Sequence, residues 1–379
     1  MIRSLTVTLS VMVGLLFSGS TAALAFPLVK VSSQQLPPEL GLEKRLDSPE
    51  EKQALIEAIN HSLRYLQTPS ARRAYHNQDI EIDRALQSLL RFRQLVRTSP
   101  TPEALATRVK QEFAFYRSVG NDGEGKVHFT GYFEPVYEAS LTRTEKYRYP
   151  IYQRPPNFQQ WSSPHPTRAT LEGINGEGEN SPLKGREIAW LSDRLQAFLI
   201  HVQGSARLQL RNGKTISIGY AGKTDHPYTS IGGELIRDGI LEREELSLPR
   251  LITYFRQHPA QLNRYLPRNK SFVFFRKTEG APATGSLGVP VTGERSIATD
   301  KSIMPRGALA LLHTKFPQIT EADQIETPLV SHYVLDQDTG SAITGAGRVD
   351  IFMGTGESAG RRAGIVDWTG QLYYLFLKK

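Results

Sequence analysis

Apolar positions in the first third of the chain recur at helical spacing. Ser48-Pro49-Glu50-Glu51 opens the pattern as a capping box with proline at the first helical position, and Leu55, Ile59, Leu63 and Leu66 follow on one face, which predicts a helix from about Pro49 to Leu66. Ile82, Leu86, Leu89, Leu90 and Val96 predict a second helix, and Pro102 opens a third that reaches about Tyr116. From Val127 the texture becomes β: "VHFTGYFEPVYEAS" alternates, and "YRYPIYQRP" repeats its aromatic theme. Pro155 to Arg186 reads as a long loop, and Leu208 and Leu210 face Ile216 and Ile218 across the Asn212-Gly213 turn as a hairpin. Asp238 to Leu266 reads as helical, with Pro249 near a helix start. "KSFVFFRK" follows as a buried strand and "TEGAPATGSLGVP" as a linker or surface loop. Short strands then run through Val289, Ile297, Ala308 to Leu312, His332 to Leu335, Val349 to Met353 and Leu372 to Leu377, which suggests a small barrel. The expected class is mainly β with an α-helical N-terminal part.

Residues 1–25 combine Arg3, an apolar run from Leu5 to Phe17 and Ala23-Leu24-Ala25, the pattern of a cleaved signal peptide. The apolar run is shorter than the ~20 residues of a membrane span. The chain is therefore expected to be exported, to the periplasm or cell envelope. Its 379 residues suggest two domains. There is no cysteine, which excludes disulfides, thiolate metal sites, a cysteine nucleophile and a lipoprotein anchor. The nine histidines show no ligand spacing, so neither a metal nor a cofactor is expected. A net charge of +8 favours an acidic partner, and without a nucleic-acid motif that partner is a carboxylate-bearing wall polymer or an anionic surface.

The chemistry concentrates in "DQDTGSAITGAGRVDIFMG", residues 336 to 354. Asp338-Thr339-Gly340 spells the aspartic-protease tripeptide, but that mechanism needs a second copy and the chain has one. Asp338 and Asp350 could instead meet as glycosidase carboxylates if the glycine-rich segment between them turns back. Asp336 reads as an aspartate that holds a turn. Asp350 differs, because Val349, Ile351 and Phe352 place it on a core strand, where a carboxylate needs a reason. "GTGESAGRRAG", residues 354 to 364, reads as a tight turn into a helix, and no serine sits in a nucleophile elbow.

Together, "FTGYFEPVY", "YPIYQRP", "LQAFLIHVQGSARL", "YAGKTDHPYTSIGGELIRDG", "NKSFVFFR", "VPVTGERSIATDKSIMPRG" and the aspartate segment resemble, in order, the membrane-bound lytic murein transglycosylase A family with its C-terminal 3D domain. The resemblance covers the chain from about residue 127 to its end. It implies a double-psi β-barrel built from residues 26–135 and 279–379, a second β-rich domain inserted over residues 136–278, and a groove between them. It implies non-hydrolytic cleavage of the β-1,4 bond between N-acetylmuramic acid and N-acetylglucosamine in peptidoglycan, leaving 1,6-anhydromuramic ends. Asp350 matches the catalytic acid, Asp338 its tuning neighbour and Asp300 the third family aspartate. Thr130, Tyr132, Gln203 and Asp300 are expected at the substrate, with Phe133 in the core. The implied partners are peptidoglycan glycan strands and other cell-wall enzymes, with no nucleic acid, and the chain is expected to be a monomer. Two alternatives stay open: a muramidase-type hydrolase using Glu134, Glu294 or Asp300 as second carboxylate, and a non-catalytic wall-binding protein. The chain departs from lipid-anchored relatives in lacking cysteine, and its "TGAGRVD" turn is slightly longer than in some of them.

Overall fold

The computed structural model describes residues 27–75 and 80–379, so the expected leader lies outside the described residues. Strand β1 (Leu28–Val31) precedes helices α1 (Pro49–Leu66), α2 (Pro69–Tyr75), α3 (Ile82–Thr98) and α4 (Pro102–Glu112). The Ser48 hydroxyl caps α1 by accepting from the Glu51 amide at 3.3 Å. Only that half of the capping box forms, because the Glu51 carboxylate is drawn to Arg295 at 2.7 Å. Leu55, Ile59, Leu63 and Leu66 are buried as the spacing predicts. Helix α4 ends at Glu112, and Phe113 to Tyr116 belong to strand β2 (Phe113–Ser118), not to a continuing helix. Its aromatic run suits a pleated surface better than a helix face.

Strand β3 (Val127–Glu134) leads into β4 (Val136–Ser140), β5 (Tyr149–Tyr152), α5 (Arg168–Glu172), β6 (Glu187–Leu191), α6 (Arg194–Gln203), β7 (Ser205–Leu210) and β8 (Thr215–Lys223). Helices α7 (Ile231–Arg237), α8 (Leu248–Gln257) and α9 (Leu262–Tyr265) and strand β9 (Val273–Lys277) follow. β4 to β9 form one sheet in the order β5-β6-β4-β7-β8-β9. The β7–β8 hairpin forms with Leu208 opposite Ile216, while Ile218 opposes Ala206. The expected long loop contains α5, and Pro249 is the second residue of α8, near a helix start as expected.

The chain then adds β10 (Ser296–Ala298), β11 (Leu309–Lys315), the small pair β12 (Gln318–Ile319) and β13 (Ile325–Glu326), β14 (Leu329–Asp338), β15 (Arg348–Thr355), α10 (Glu357–Ala363) and β16 (Asp367–Leu377). Val289 lies outside these strands, in a loop with one bridge between Thr284 and Pro290. The larger sheet has the order β1-β2-β16-β11-β14-β10-β15-β3, and β3 also pairs with β16. Its last six strands therefore pair in a closed cycle. With 33% helix and 28% strand the fold is mixed α/β, not mainly β, because α6 packs against the second sheet and α7 to α9 cluster on α6, in addition to the N-terminal helices.

Helix α10 lies directly on β3. A Cβ on Gly131 would stand 2.8 Å from the Ala363 Cα, and one on Gly360 would stand 2.8 Å from the Phe133 ring. Phe133 is buried in the main core, as expected.

The N-terminal helices are tied to the cycle by a buried charge network. Arg295 donates to Glu43 at 2.7 Å and to Glu51 at 2.7 Å, while Glu43 also meets His332 at 2.8 Å and accepts from the Tyr333 amide at 2.8 Å. Burial pushes the Glu43 carboxyl up, but Arg295 and His332 outweigh it and hold the group at about 2. A carboxyl depressed below its ordinary 4.5 adds stability that is present above that value and lost as pH falls towards 2. Glu43→Gln should therefore cost on the order of 3 kcal/mol at pH 7. Urea unfolding should show the gap from wild type narrowing as pH falls below about 4; an equal loss at both ends would contradict the assignment.

Candidate active site

Strand β10 has three residues, and its last one organises the site. Ala298 pairs with Asp338 of β14 on one side and with Asp350 of β15 on the other. A register shift in β14 brings Asp338, not Gln337, opposite Ala298. Asp350 in turn pairs with Thr130 of β3, and Thr130 with Asp367 of β16. The two aspartates are thus two strand spacings apart, a Cα separation of about 10 Å.

The environments of the two carboxyls differ. Asp338 accepts three hydrogen bonds, from the Tyr132 hydroxyl and from the amides of Ser286 and Thr339, each at 2.8 Å. Burial raises its pKa, and these bonds, with the Lys301 charge, offset only part of the rise. Asp350 accepts one, from the Thr130 hydroxyl at 2.9 Å. Burial pushes Asp350 up to about 6, against the Thr130 bond and the Arg348 charge, with the Asp338 charge adding to the rise. Burial and the Asp338 charge also keep the Tyr132 hydroxyl well above its ordinary range, so it remains a donor. Both carboxyls are shifted towards the protonated form, and the three hydrogen bonds on Asp338 favour its charged form more than the single bond on Asp350 does.

Residues 128–276 match the MltA specific insert domain and residues 295–376 the 3D domain. Membrane-bound lytic murein transglycosylase A of Escherichia coli (strain K12) is 32% identical over 274 residues, which is 71% of each chain. The chain belongs to the membrane-bound lytic murein transglycosylase A family. Among solved structures, the membrane-bound lytic murein transglycosylase from Agrobacterium tumefaciens aligns with TM-score 0.71 and 26% identity, over 93% of this chain and 98% of that one. E. coli MltA with bound chitohexaose aligns with TM-score 0.71 and 28% identity, over 93% of this chain and 95% of that one.

Within this family member, the residues expected at the substrate divide. Thr130 and Tyr132 bond the aspartates themselves. Gln203, at the end of α6, accepts from the Phe133 amide at 2.9 Å and so fastens the second sheet's helix to β3. Asp300 spends both oxygens on the chain, accepting from the Ser302 amide at 2.9 Å and from the Gly345 amide at 2.7 Å. It ties down the loop between Asp338 and Asp350. Asp336 is no turn residue: it is fully buried in β14, paired with Lys301, and accepts from Thr299 at 2.8 Å and Tyr374 at 2.7 Å. Glu134 is held by Arg207 at 2.9 Å, and Glu294 by Arg45 and Arg362. Burial pushes Glu294 up, but the two guanidiniums leave it below the ordinary range.

Sequence reasoning missed three contributors. Ser286 lies in the segment read as a linker, and no side-chain pattern signals a backbone donor. His128 and Arg348 lie one pleat from Thr130 and Asp350, and only the β3–β15 register brings them together. Among the described residues no three His, Asp or Glu side chains are grouped to hold a metal. A cleft of ≈ 750 Å³ beside Trp161 and Arg186 contains none of the aspartates.

A carboxyl raised from 3.8 to about 6 makes the fold lose stability as pH rises through that interval. Asp350→Asn should unfold at higher denaturant than wild type at pH 7, by up to about 3 kcal/mol, with the gain gone near pH 4. Equal midpoints at both pH values would show that burial does not press on this carboxyl.

Proposed function

We propose that the chain is a lytic transglycosylase that cleaves the β-1,4 bond between N-acetylmuramic acid and N-acetylglucosamine without water. The observation that carries this reading is the Asp350 carboxyl, half-buried, held by one hydrogen bond and raised to about 6. Such a group keeps a protonated fraction near neutral pH that an ordinary aspartate lacks, and in that form it protonates the bridging oxygen as the leaving sugar departs. The carboxylate left behind then accepts the proton of the muramic C6 hydroxyl as that oxygen closes on C1, which gives the 1,6-anhydro end. An internal nucleophile needs only proximity, so one carboxyl serves both steps. Asp338 stabilises positive charge at the reacting sugar, and Tyr132 and Thr130 fix the two carboxyls. That Glu134 and Glu294 are bound to arginines supports the single-carboxyl route over a hydrolase with a second base.

In this reading residues 26–135 and 279–379 form a double-psi β-barrel, residues 136–278 an inserted domain, and the glycan lies in the groove between them. The chitohexaose bound by the E. coli relative is a β-1,4-linked strand of the corresponding kind. The protein acts in the cell envelope as a monomer, alongside other cell-wall enzymes. The chain has no cysteine to carry the lipid of a lipoprotein, and among the described residues no helix is long and apolar enough to cross a membrane.

Mass spectrometry of products released from purified sacculi tests the reading. Wild type should give muropeptides one water lighter than hydrolysis products, and Asp350→Asn should release fewer by at least about a hundredfold, as befits loss of the acid. Asp338→Asn should retain part of the activity. Reducing ends from wild type would make the protein a hydrolase, and equal release by Asp350→Asn would remove that residue from the chemistry.

A further inference from the structure

The strand register that builds the acid also places a cation beside it. Arg348 and Asp350 lie two residues apart on β15, hence on one face, opposite His128 and Thr130 of β3. The Arg348 guanidinium bonds His128 Nδ1, and His128 Nε2 bonds an Asp367 carboxylate oxygen. A guanidinium only donates, so Nδ1 accepts and the ring proton sits on Nε2, pointing at Asp367. This fixes one rotamer of the imidazole and, through it, the direction of Arg348.

The charge of Arg348 is not consumed by this arrangement. Among the described residues no carboxylate lies within ion-pair distance of it, and Asp367 is occupied by the histidine. The Nε atom is buried without a hydrogen-bond partner. The guanidinium acts at longer range on Asp350, and it opposes the burial that raises the Tyr228 hydroxyl of the second-sheet unit. It therefore lies on the face of β15 that carries the group assigned as acid, within electrostatic reach of the second-sheet unit. Arginine is the side chain suited to two-pronged binding of a carboxylate.

We propose that Arg348, oriented by His128 and Asp367, forms a subsite for a carboxylate carried by the glycan strand beside the bond that Asp350 cleaves. This rests on the function proposed above and adds a substrate preference to it. Murein offers two such carboxylates: the lactyl group of a peptide-free muramic residue, and the acidic groups of a stem peptide. Neutral chitin-type strands offer none.

Calorimetric titration on the Asp350→Asn chain, which mimics the protonated acid and prevents turnover, tests this with three ligands. They are chitohexaose, a peptide-free tetrasaccharide of alternating N-acetylglucosamine and N-acetylmuramic acid, and that tetrasaccharide bearing stem peptides. Adding Arg348→Gln should weaken at least one muramic ligand by about tenfold or more, the scale of a charge-assisted contact, and leave chitohexaose within about twofold. Chitohexaose binding thereby reports that the variant is folded. Loss confined to the peptide-free strand identifies the lactyl carboxylate, and loss confined to the peptide-bearing strand identifies the peptide. Arg348→Lys should lie between. Equal weakening of all three ligands, or of none, would overturn the subsite. An Asp350→Asn chain that bound no glycan at all would overturn the proposed function and the subsite with it, a result distinct from loss of the preference alone.

Discussion

Ala298 stands between two carboxyls, and the site depends on that placement. Strand β10 pairs with β14 and β15 at once, so the positions of Asp338 and Asp350 are set by backbone hydrogen bonds and not by flexible side chains. The closed cycle of strands half-buries both residues, and loss of solvent is the largest influence on each carboxyl. They differ in the number of hydrogen bonds they receive, three on Asp338 and one on Asp350.

The surroundings keep this arrangement from collapsing or opening. Helix α10 presses on β3 through Gly131 and Gly360, which fixes the strand carrying Thr130 and Tyr132. Arg295, next to β10, is locked to Glu43 and Glu51, so the N-terminal helices brace the strand that holds Ala298. Lys301 and Asp336 neutralise each other behind the site. Buried ion pairs add little net stability against apolar alternatives, but they are costly to break singly, and that suits a region where register decides function.

Much of this was legible in the chain, for reasons that differ by element. Helix α1 was readable because cap, proline and apolar period agree. Asp350 stood out because a carboxylate on a β-branched and aromatic strand contradicts its neighbours. Asp336 was misread, since nothing local announces that Lys301 folds over to meet it. The end of α4 was misread because Phe113 to Tyr116 follow the helix without a break signal, although their aromatic run suits a strand, and pairing with β16 decides. The Arg348–His128–Asp367 chain and the Ser286 amide depend on contacts between residues distant in sequence, for which no local signal exists.

The central claim is that the fold holds the Asp350 carboxyl protonated well above the ordinary aspartate range. A titration of carbon-13 labelled aspartate side chains by NMR, with Asp350 assigned by its absence in Asp350→Asn, measures this directly. The account predicts a midpoint near 6 for Asp350. It predicts a lower one once Asp338→Asn removes the neighbouring charge. A midpoint near the ordinary 3.8 in the intact protein would contradict it and leave the proposed acid without its proton.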